Sequence, residues 1–200
     1  MIFIKFKRII LSFIILIFFL KFSSVPVFAS LNEDFSDLNG WKIIDGDWSV
    51  KDNTLVNDVD KNNLRSKIFY ENEVYEDFIL TVDFLAEDGV NQKLNFSIKS
   101  EEYKEYYSIN LEYTIPGHDF GGVIQLKDYF LGGESVVDKG FYNIFHNQWY
   151  SLKVVKQKKN IKMFIKEKQE ENYFLLVDVN VEGKLSGYMG FSMWTGAWGK

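Results

Sequence analysis

Short polar side chains occupy every second position in several segments of the sequence, and their chemical types are those that bind sugar hydroxyls. In LNFSIKS (94–100), for example, the polar residues alternate with Leu94, Phe96 and Ile98. A pyranose offers hydroxyl edges and apolar C–H faces, so a site that binds it needs both hydrogen-bonding groups and an aromatic ring. The polar alternating positions are Asp83, Asn95, Ser97, Tyr106, Ser108, Asn110 and Gln125. They predict a carbohydrate-binding face, and the alternative is a sheet face that only contacts solvent.

The five tryptophans differ in the environment that their neighbours predict. In GFSMWTGAWGK (190–200), Trp194 alternates with Phe191 and Met193, which are of core type, so Trp194 is expected to face outward. An outward indole would complete the carbohydrate-binding set as a flat platform. The other four are expected to be covered to different extents: Trp198 at the end of the core, Trp149 half-buried, and Trp41 and Trp48 mostly buried.

The sequence lacks the paired carboxylates that glycoside hydrolysis requires. The nearest pair on a predicted strand is Asp83 and Glu87, whose Cα atoms would lie about 13 Å apart. Catalytic carboxyl groups lie about 5–5.5 Å apart in retaining enzymes and about 6.5–9.5 Å apart in inverting ones. His118 and His146 are isolated from any serine, cysteine or carboxylate pattern of a catalytic or metal site. No catalytic residue is therefore assigned, and binding without cleavage is the leading hypothesis.

Alternation with a period of two runs through nearly every segment after residue 31. FILTVDF (78–84) and NIKMFIKE (160–167) are two examples, and no segment of this region shows a sustained helical period. Breaks such as Asp45-Gly46, a hairpin signal, and KDNT (51–54) separate roughly ten or more such segments. The sequence predicts an all-β domain over residues 30–200, folded as two stacked antiparallel sheets.

Residues 1–29 have the features of a secretory signal peptide. Lys5, Lys7 and Arg8 precede an apolar run, which at about 12 residues is shorter than the roughly 20 of a membrane span. Small residues precede the expected cleavage site after Ala29. The protein is therefore predicted to be secreted and extracellular, with no membrane attachment after cleavage. An uncleaved N-terminal anchor is the alternative.

Charge and composition argue against several classes of partner. The net charge of −5 becomes more negative once the four basic residues of segment 1–29 are removed. An acidic exported protein is unsuited to nucleic acid or to an anionic membrane surface. The sequence contains no cysteine, so neither disulfides nor thiolate chemistry contribute. The predicted partner is a polysaccharide or an oligosaccharide.

Several segments, in their order and spacing, resemble concanavalin A-like lectin and glucanase domains. EDFSDLNGWKIIDGDWSVKDNTLV (33–56) and LRSKIFYENEVYEDFILTVDF (64–84) are similar to the opening strands of the laminin-G-like and 3-keto-disaccharide-hydrolase-like group. The resemblance implies a β-sandwich of the jelly-roll type and a carbohydrate ligand. It also implies one alternative to a non-catalytic glycan-binding module, a glycoside hydrolase of the 3-keto-disaccharide-hydrolase-like type. A structural or adhesive extracellular domain without a small ligand is the third hypothesis.

The same resemblance implies features of the two ends of the domain. Domains of this kind often hold a structural calcium ion near an N-terminal acidic pair, which Glu33 and Asp34 match. Calcium is thus the one candidate cofactor, and none is expected to be required. A closing strand usually pairs near an N-terminal strand that corresponds to EDF (33–35). The sequence ends at Lys200, where that closing strand is expected to begin, so a truncated domain that associates through an open sheet edge is predicted.

Overall fold

The computed structural model of the chain describes residues 33–57, 65–86, 91–98, 106–111, 123–129, 134–182 and 186–194, with residues 91, 123 and 194 described by their backbone alone. These residues form β-strands and no helix. The strands are Trp41–Asp45 (β1), Trp48–Lys51 (β2), Thr54–Asn57 (β3), Arg65–Tyr75 (β4), Phe78–Leu85 (β5), Asn91–Ile98 (β6), Tyr107–Leu111 (β7), Val123–Asp128 (β8), Ser135–Phe141 (β9), Trp149–Gln157 (β10), Asn160–Glu167 (β11), Phe174–Asn180 (β12) and Gly187–Trp194 (β13). The described ranges contain no helix that is long and apolar enough to cross a membrane.

The strands form three antiparallel sheets. The largest has seven strands in the order β1-β4-β13-β6-β7-β8-β9, and the second has four in the order β12-β11-β10-β5. The third is the hairpin of β2 and β3. The predicted all-β sandwich is confirmed for the described residues, and the β2–β3 hairpin is an addition to the two sheets that were predicted.

The main core lies between the two larger sheets. Side chains alternate between the two faces of a strand, so each of these sheets turns one apolar face inward. Leu94 and Phe96 on β6 belong to the same buried cluster as Leu152 and Val154 on β10. The opposite side of the seven-stranded sheet therefore faces away from this core and can present polar groups.

Two tight turns lie where the turn residues predicted them, but one of them connects unexpected strands. Asp52 and Asn53 have φ angles of 50° and 56° and close the β2–β3 hairpin, whose two-residue turn requires this conformation. Gly46 has a φ angle of 84°, so Asp45-Gly46 does form a turn. The hairpin predicted there is wrong, because β1 pairs with β4 and β2 pairs with β3. The turn instead carries the chain from the seven-stranded sheet to the two-stranded one.

A second buried cluster surrounds the first tryptophans. Trp41 and Trp48 are 8% and 6% exposed, which confirms the prediction that both are buried. Trp41 stacks on Phe191 of β13, with ring centroids 5.6 Å apart, and packs against Phe35 at the same distance. Residues 33–35 form no strand, and Phe35 has a φ angle of 49°. The expectation of an N-terminal strand at EDF is therefore wrong, because this segment turns to cover Trp41.

The predicted association requires edge strands that are open to another chain. Within the described residues, β1 and β9 border the seven-stranded sheet, and β5 and β12 border the four-stranded sheet. An edge strand exposes backbone donors and acceptors to other chains. Association through such an edge stays a prediction. The predicted signal peptide, residues 1–29, lies outside the described residues.

Candidate functional site

The side of the seven-stranded sheet that faces away from the core is polar at its centre, and we call it the polar face. Residues in register on antiparallel strands project to the same side of a sheet. One row of such residues, from β4 to β9, is Lys67, Ser192, Lys93, Asn110, Gln125 and Lys139. The next row is Phe69, Gly190, Asn95, Ser108, Lys127 and Val136. The polar face consists of these two rows together with Tyr106, Tyr129 and Glu134.

Small polar side chains form a buried floor at the centre of the polar face. Asn95 is 1% exposed, Ser108 is 0% exposed and Asn110 is 4% exposed. Asn95 Nδ2 donates to Ser192 Oγ at 2.9 Å, and Ser108 Oγ donates to Asn110 Oδ1 at 3.0 Å. The sequence predicted that these residues lie on the side opposite the core, and they do. It also predicted that they are exposed, which is wrong.

Two amide oxygens of the polar face are buried without a hydrogen-bond donor in the described part of the chain. They belong to Asn95 and Gln125. A buried acceptor without a partner costs about 1–3 kcal/mol, so most such groups in native proteins are paired. The hydroxyl groups of a ligand are donors of the kind that these oxygens lack.

Long side chains from non-adjacent strands cover the floor. Lys67 Nζ lies 5.0 Å from the ring centroid of Tyr106, although β13 and β6 separate β4 from β7. Three strand spacings amount to about 14 Å, so the two side chains extend toward each other above the intervening strands. Tyr129 stacks on Tyr106, with ring centroids 4.6 Å apart and planes 15° apart. This cover contributes to the burial of Asn95, whose strand, β6, lies between β4 and β7.

An ion pair and a tyrosine hydroxyl border the floor on its β8 side. Lys127 Nζ lies 2.6 Å from Glu134 Oε1, and this contact is the main reason that the pKa of Glu134 is lowered. The Tyr129 hydroxyl lies near the same carboxylate and near the Asn110 amide. Burial, followed by Glu134, raises the pKa of Tyr129. At neutral pH, Glu134 is therefore ionised and the Tyr129 hydroxyl keeps its proton.

A bulge at Ser97 separates the floor from an aromatic patch. Ser97 is 1% exposed and has a φ angle of 57°, and the register of β6 with β13 shifts nearby. The bulge turns Ile98 to the polar side, where it clusters with Phe69 and packs beside Tyr106 and Tyr188. The sequence grouped Ile98 with the main core. That expectation is wrong, because regular alternation does not reveal a bulge.

Asp83 lies on the other sheet, away from the remaining candidates. It is on the outer side of β5, where Ser151 of β10 donates to Oδ1 and Lys168 Nζ lies 3.0 Å from Oδ2. Burial raises the pKa of Asp83, but the contacts with Ser151 and Lys168 outweigh this and lower it. Lys168 also lies over the Trp149 ring at 4.9 Å, and Trp149 is 37% exposed, as the half-buried prediction required. Asp83 therefore does not join the polar face, because alternation assigns a side of a strand and not its sheet.

Some candidates fall partly or wholly outside the described residues. The backbone of Trp194 ends β13, in register with Arg65 of β4 and Asn91 of β6. The outward placement of its indole stays a prediction, because that side chain lies outside the described part. The candidates that lie wholly outside are Glu87, His118 and Trp198.

The predicted calcium ligands are used locally. Glu33 Oε1 accepts from the Phe35 backbone at 2.9 Å, and Oε2 accepts from Trp41 Nε1 at 3.1 Å. Asp34 Oδ1 accepts from the Ser36 backbone at 2.9 Å, and this bond is the main reason that the pKa of Asp34 is lowered. Among the described residues, no group of three or more acidic, histidine or cysteine side chains could hold a metal ion. These residues do not by themselves supply a calcium site.

A cavity of about 960 Å³ lies between the two larger sheets, beside edge strand β5. Its lining combines apolar residues, such as Phe84, Leu94 and Phe191, with polar ones that include Glu33, Asp34, Asp83, Gln92 and Lys93. The polar face holds two buried amide oxygens, those of Asn95 and Gln125, without a donor among the described residues, beside the stacked rings of Tyr106 and Tyr129. We therefore take the polar face as the candidate site.

Several residues of the polar face were missing from the sequence prediction. Lys93 and Ser192 share the alternation of Asn95 and Trp194, so the same pattern would have identified them. Tyr129 and Glu134 follow β8 in the chain and carry no periodic signal. Lys67 is on β4, and it contacts Tyr106 only because the sheet places β13 and β6 between β4 and β7, an order that the sequence does not reveal.

The chain is similar to proteins of known sequence family and known structure. Residues 28–189 match the family described as the 3-keto-alpha-glucoside-1,2-lyase-like domain. No curated protein matches the chain by sequence. A similar solved structure is the carbohydrate-binding module CBM66 from Bacillus subtilis, which is 20% identical, with a TM-score of 0.62 over 78% of this chain and 88% of that chain.

Two further structures belong to other functional classes. The laminarinase from Flavobacterium sp. UMI-01 is 10% identical, with a TM-score of 0.54 over 82% of this chain and 85% of that chain. The basic winged bean lectin, solved with Tn-antigen, is 10% identical, with a TM-score of 0.54 over 77% of this chain and 81% of that chain. These likenesses bear on the fold and confirm the concanavalin A-like β-sandwich that the sequence resemblance implied. Because the family match spans most of the sequence, the chain belongs to the family of 3-keto-alpha-glucoside-1,2-lyase-like domains.

Proposed function

We propose that the protein binds a polysaccharide or an oligosaccharide on the polar face and does not cleave it. The observation that carries the proposal is the Asn95 amide, which is 1% exposed, outside the main core, and bonded only through its nitrogen among the described residues. A group that serves stability alone would be paired at both atoms or replaced by an apolar one. An unpaired oxygen in a polar floor fits a ligand that brings its own donors.

The aromatic part of the polar face supplies the second requirement of sugar binding. Tyr106 and Tyr129 are stacked beside the floor, at the side where Lys67 reaches across. Their ring edges and faces provide an apolar surface, and the Tyr129 hydroxyl provides a polar tip. A pyranose could thus place its C–H face on the tyrosines and its hydroxyls toward Asn95 and Gln125.

The lowered pKa values of Glu134 and Asp83 support binding rather than glycoside cleavage. A catalytic acid of a glycosidase needs a raised pKa and a second carboxylate nearby. The pKa of Glu134 is lowered by Lys127, and Asp83, whose pKa is also lowered, lies on the other sheet. Neither carboxylate is suited to donate a proton at neutral pH.

Calorimetric titration against a panel of neutral and acidic polysaccharides tests the proposal, together with an assay for released reducing sugar. Tyr129→Ala is expected to weaken binding at least about tenfold, in the range measured for loss of an aromatic anchor. The matched control is Tyr173→Ala, since Tyr173 lies near Lys153 and Lys166 of the other sheet and should change affinity less than about twofold. Equal losses in both variants, or no binding to any glycan, would overturn the proposal.

Cleavage of a 3-keto-glucoside is the second candidate, because the family is described by that lyase activity. The Tyr129 hydroxyl, which lies near Glu134, is the described group on the polar face best placed to exchange a proton with a substrate. Incubation with a 3-keto-glucoside and measurement of aglycone release tests this candidate. Release that Tyr129→Phe abolishes would replace the binding-only proposal.

The proposal includes an extracellular location for the protein. Export by the predicted signal peptide would bring the domain to extracellular glycans. A structural or adhesive role without a glycan is the remaining alternative, and it predicts no binding in the same panel. Calcium stays a candidate for stability alone, to be tested by melting with and without a chelator.

A further inference from the structure

The outward side of edge strand β9 carries exposed apolar side chains at the border of the polar face. Val136 is 51% exposed and Phe141 is 64% exposed. Lys139 lies in register with Gln125 of β8, and Phe141 follows Lys139 by two residues, so its ring projects to the polar face as well. Among the described residues, Phe141 belongs to no buried cluster, and its ring centroid lies 5.8 Å from Lys139 Nζ. Most of the ring is therefore accessible to a ligand.

Gln125 brings an unpaired acceptor close to this ring. Its Oε1 atom is buried and has no donor among the described residues. Gln125 and Phe141 are on neighbouring strands and two positions apart on the same side, so their Cα atoms lie about 8 Å apart. A sugar stacked on the Phe141 ring would thus bring its hydroxyl groups within reach of Gln125. An exposed ring beside an unpaired acceptor is the combination that a sugar subsite requires.

The second aromatic platform of the polar face lies at the other end of β8. Tyr129 directly follows β8, its backbone N–H donates to Tyr106 O at 2.9 Å, and its ring stacks on that of Tyr106. The backbone of Val123, at the start of β8, lies in register with Phe141. Tyr129 and Val123 are six residues apart in the chain, so the two platforms are separated by about 20 Å. A single pyranose is too short to contact both.

We infer that the polar face binds a run of several sugar residues along β8, with one end on the Tyr106–Tyr129 stack and the other on the Phe141 ring beside Gln125. The inference rests on the proposed function and adds the length and the direction of the ligand to it. A site for one terminal sugar would use only one of the two platforms. The ligand is therefore an internal stretch of a linear polysaccharide.

Oligosaccharides of increasing length test the inference. Gluco-, xylo-, manno- and galacto-oligosaccharides, each from the disaccharide to the hexasaccharide, are titrated by calorimetry beside their parent polysaccharides. In the series that binds, the hexasaccharide is expected to bind at least about tenfold more tightly than the disaccharide, because the second platform adds a linked contact. The gain is expected to level off once the chain spans both platforms.

Three variants locate the second platform. Phe141→Ala is expected to lower the affinity for the hexasaccharide at least about tenfold and to change that for the disaccharide less than about twofold. Phe141→Tyr keeps the ring and is expected to retain the gain with length. Phe174→Ala removes a ring that is 53% exposed on β12 of the four-stranded sheet and is expected to change neither affinity. Circular dichroism melting checks that each variant is folded.

The outcomes separate this inference from the proposed function. Equal affinities for the disaccharide and the hexasaccharide, or equal losses in Phe141→Ala and Phe174→Ala, would overturn the inference and leave the proposed function standing. An exposed ring on an edge strand can also join two copies of a chain. A wild-type dimer that Phe141→Ala converts to a monomer in light scattering would therefore overturn the inference as well. No binding to any of the oligosaccharides or polysaccharides would overturn both.

Discussion

Replacing Asn95 by alanine is expected to weaken glycan binding with little effect on stability. In the folded protein, Asn95 Nδ2 donates to Ser192 Oγ at 2.9 Å, and Oδ1 is buried without a donor among the described residues. Loss of the hydrogen bond costs about 0.5–1.5 kcal/mol, whereas removal of the unpaired oxygen regains about 1–3 kcal/mol. The void left by the amide costs on the order of 1 kcal/mol.

These terms nearly cancel, so the free energy of unfolding is expected to stay within about 1 kcal/mol of wild type. That margin corresponds to roughly 2–4 °C in melting temperature for a domain of this size. Affinity for the glycan is expected to fall at least about tenfold, or about 1.4 kcal/mol. Thermal denaturation followed by circular dichroism gives the first quantity, and calorimetric titration gives the second.

Tyr150→Phe is the matched control for a buried polar group that serves stability. Tyr150 is 0% exposed, and its hydroxyl accepts from the Phe145 backbone at 2.8 Å and donates to Gln148 Oε1 at 3.0 Å. Its removal leaves a backbone donor without its acceptor and is expected to cost about 1–3 kcal/mol, with binding unchanged. The reasoning is refuted if Asn95→Ala loses more than about 3 kcal/mol of stability and keeps its affinity.

Three further predictions concern stability and processing. Burial is the main cause that raises the pKa of Tyr107 and Tyr142 to about 12. The folded protein therefore holds these two protons more tightly than the unfolded chain, and the free energy of unfolding is expected to fall as pH rises from about 10 toward 12. Unfolding measured over an alkaline pH series checks this. Gly46→Ala places a Cβ 2.4 Å from Ser66 Cβ at a φ of 84°, so melting should show a loss above about 1 kcal/mol. Mass spectrometry of the exported protein should show cleavage after Ala29.

The side of each strand could be predicted from the sequence where the strand is regular. Asn95 and Ser108 were placed opposite Leu94 and Ile109 because side chains alternate along a strand, and the structure has them so. Trp41 was expected to be buried and is 8% exposed. These properties depend on the local chain alone.

The grouping of strands into sheets and the burial of the floor could not be predicted in this way. Asp83 has the same alternation as Asn95, but β5 pairs with β10 and β6 pairs with β13 and β7. The cover over the floor depends on Lys67 and Tyr106, which are far apart in sequence and meet across two strands. The bulge at Ser97 has no turn residue to indicate it.

The most direct test of the central claim is to observe the floor itself during glycan binding. Nuclear magnetic resonance of the protein, with the side-chain amides of Asn95 and Asn110 and the ring of Tyr129 assigned, follows a titration with the tightest glycan of the panel. Binding on the polar face predicts that these three signals shift together and saturate at one dissociation constant. Shifts confined to Trp149 and Lys168 on the four-stranded sheet, with the floor unchanged, would contradict it.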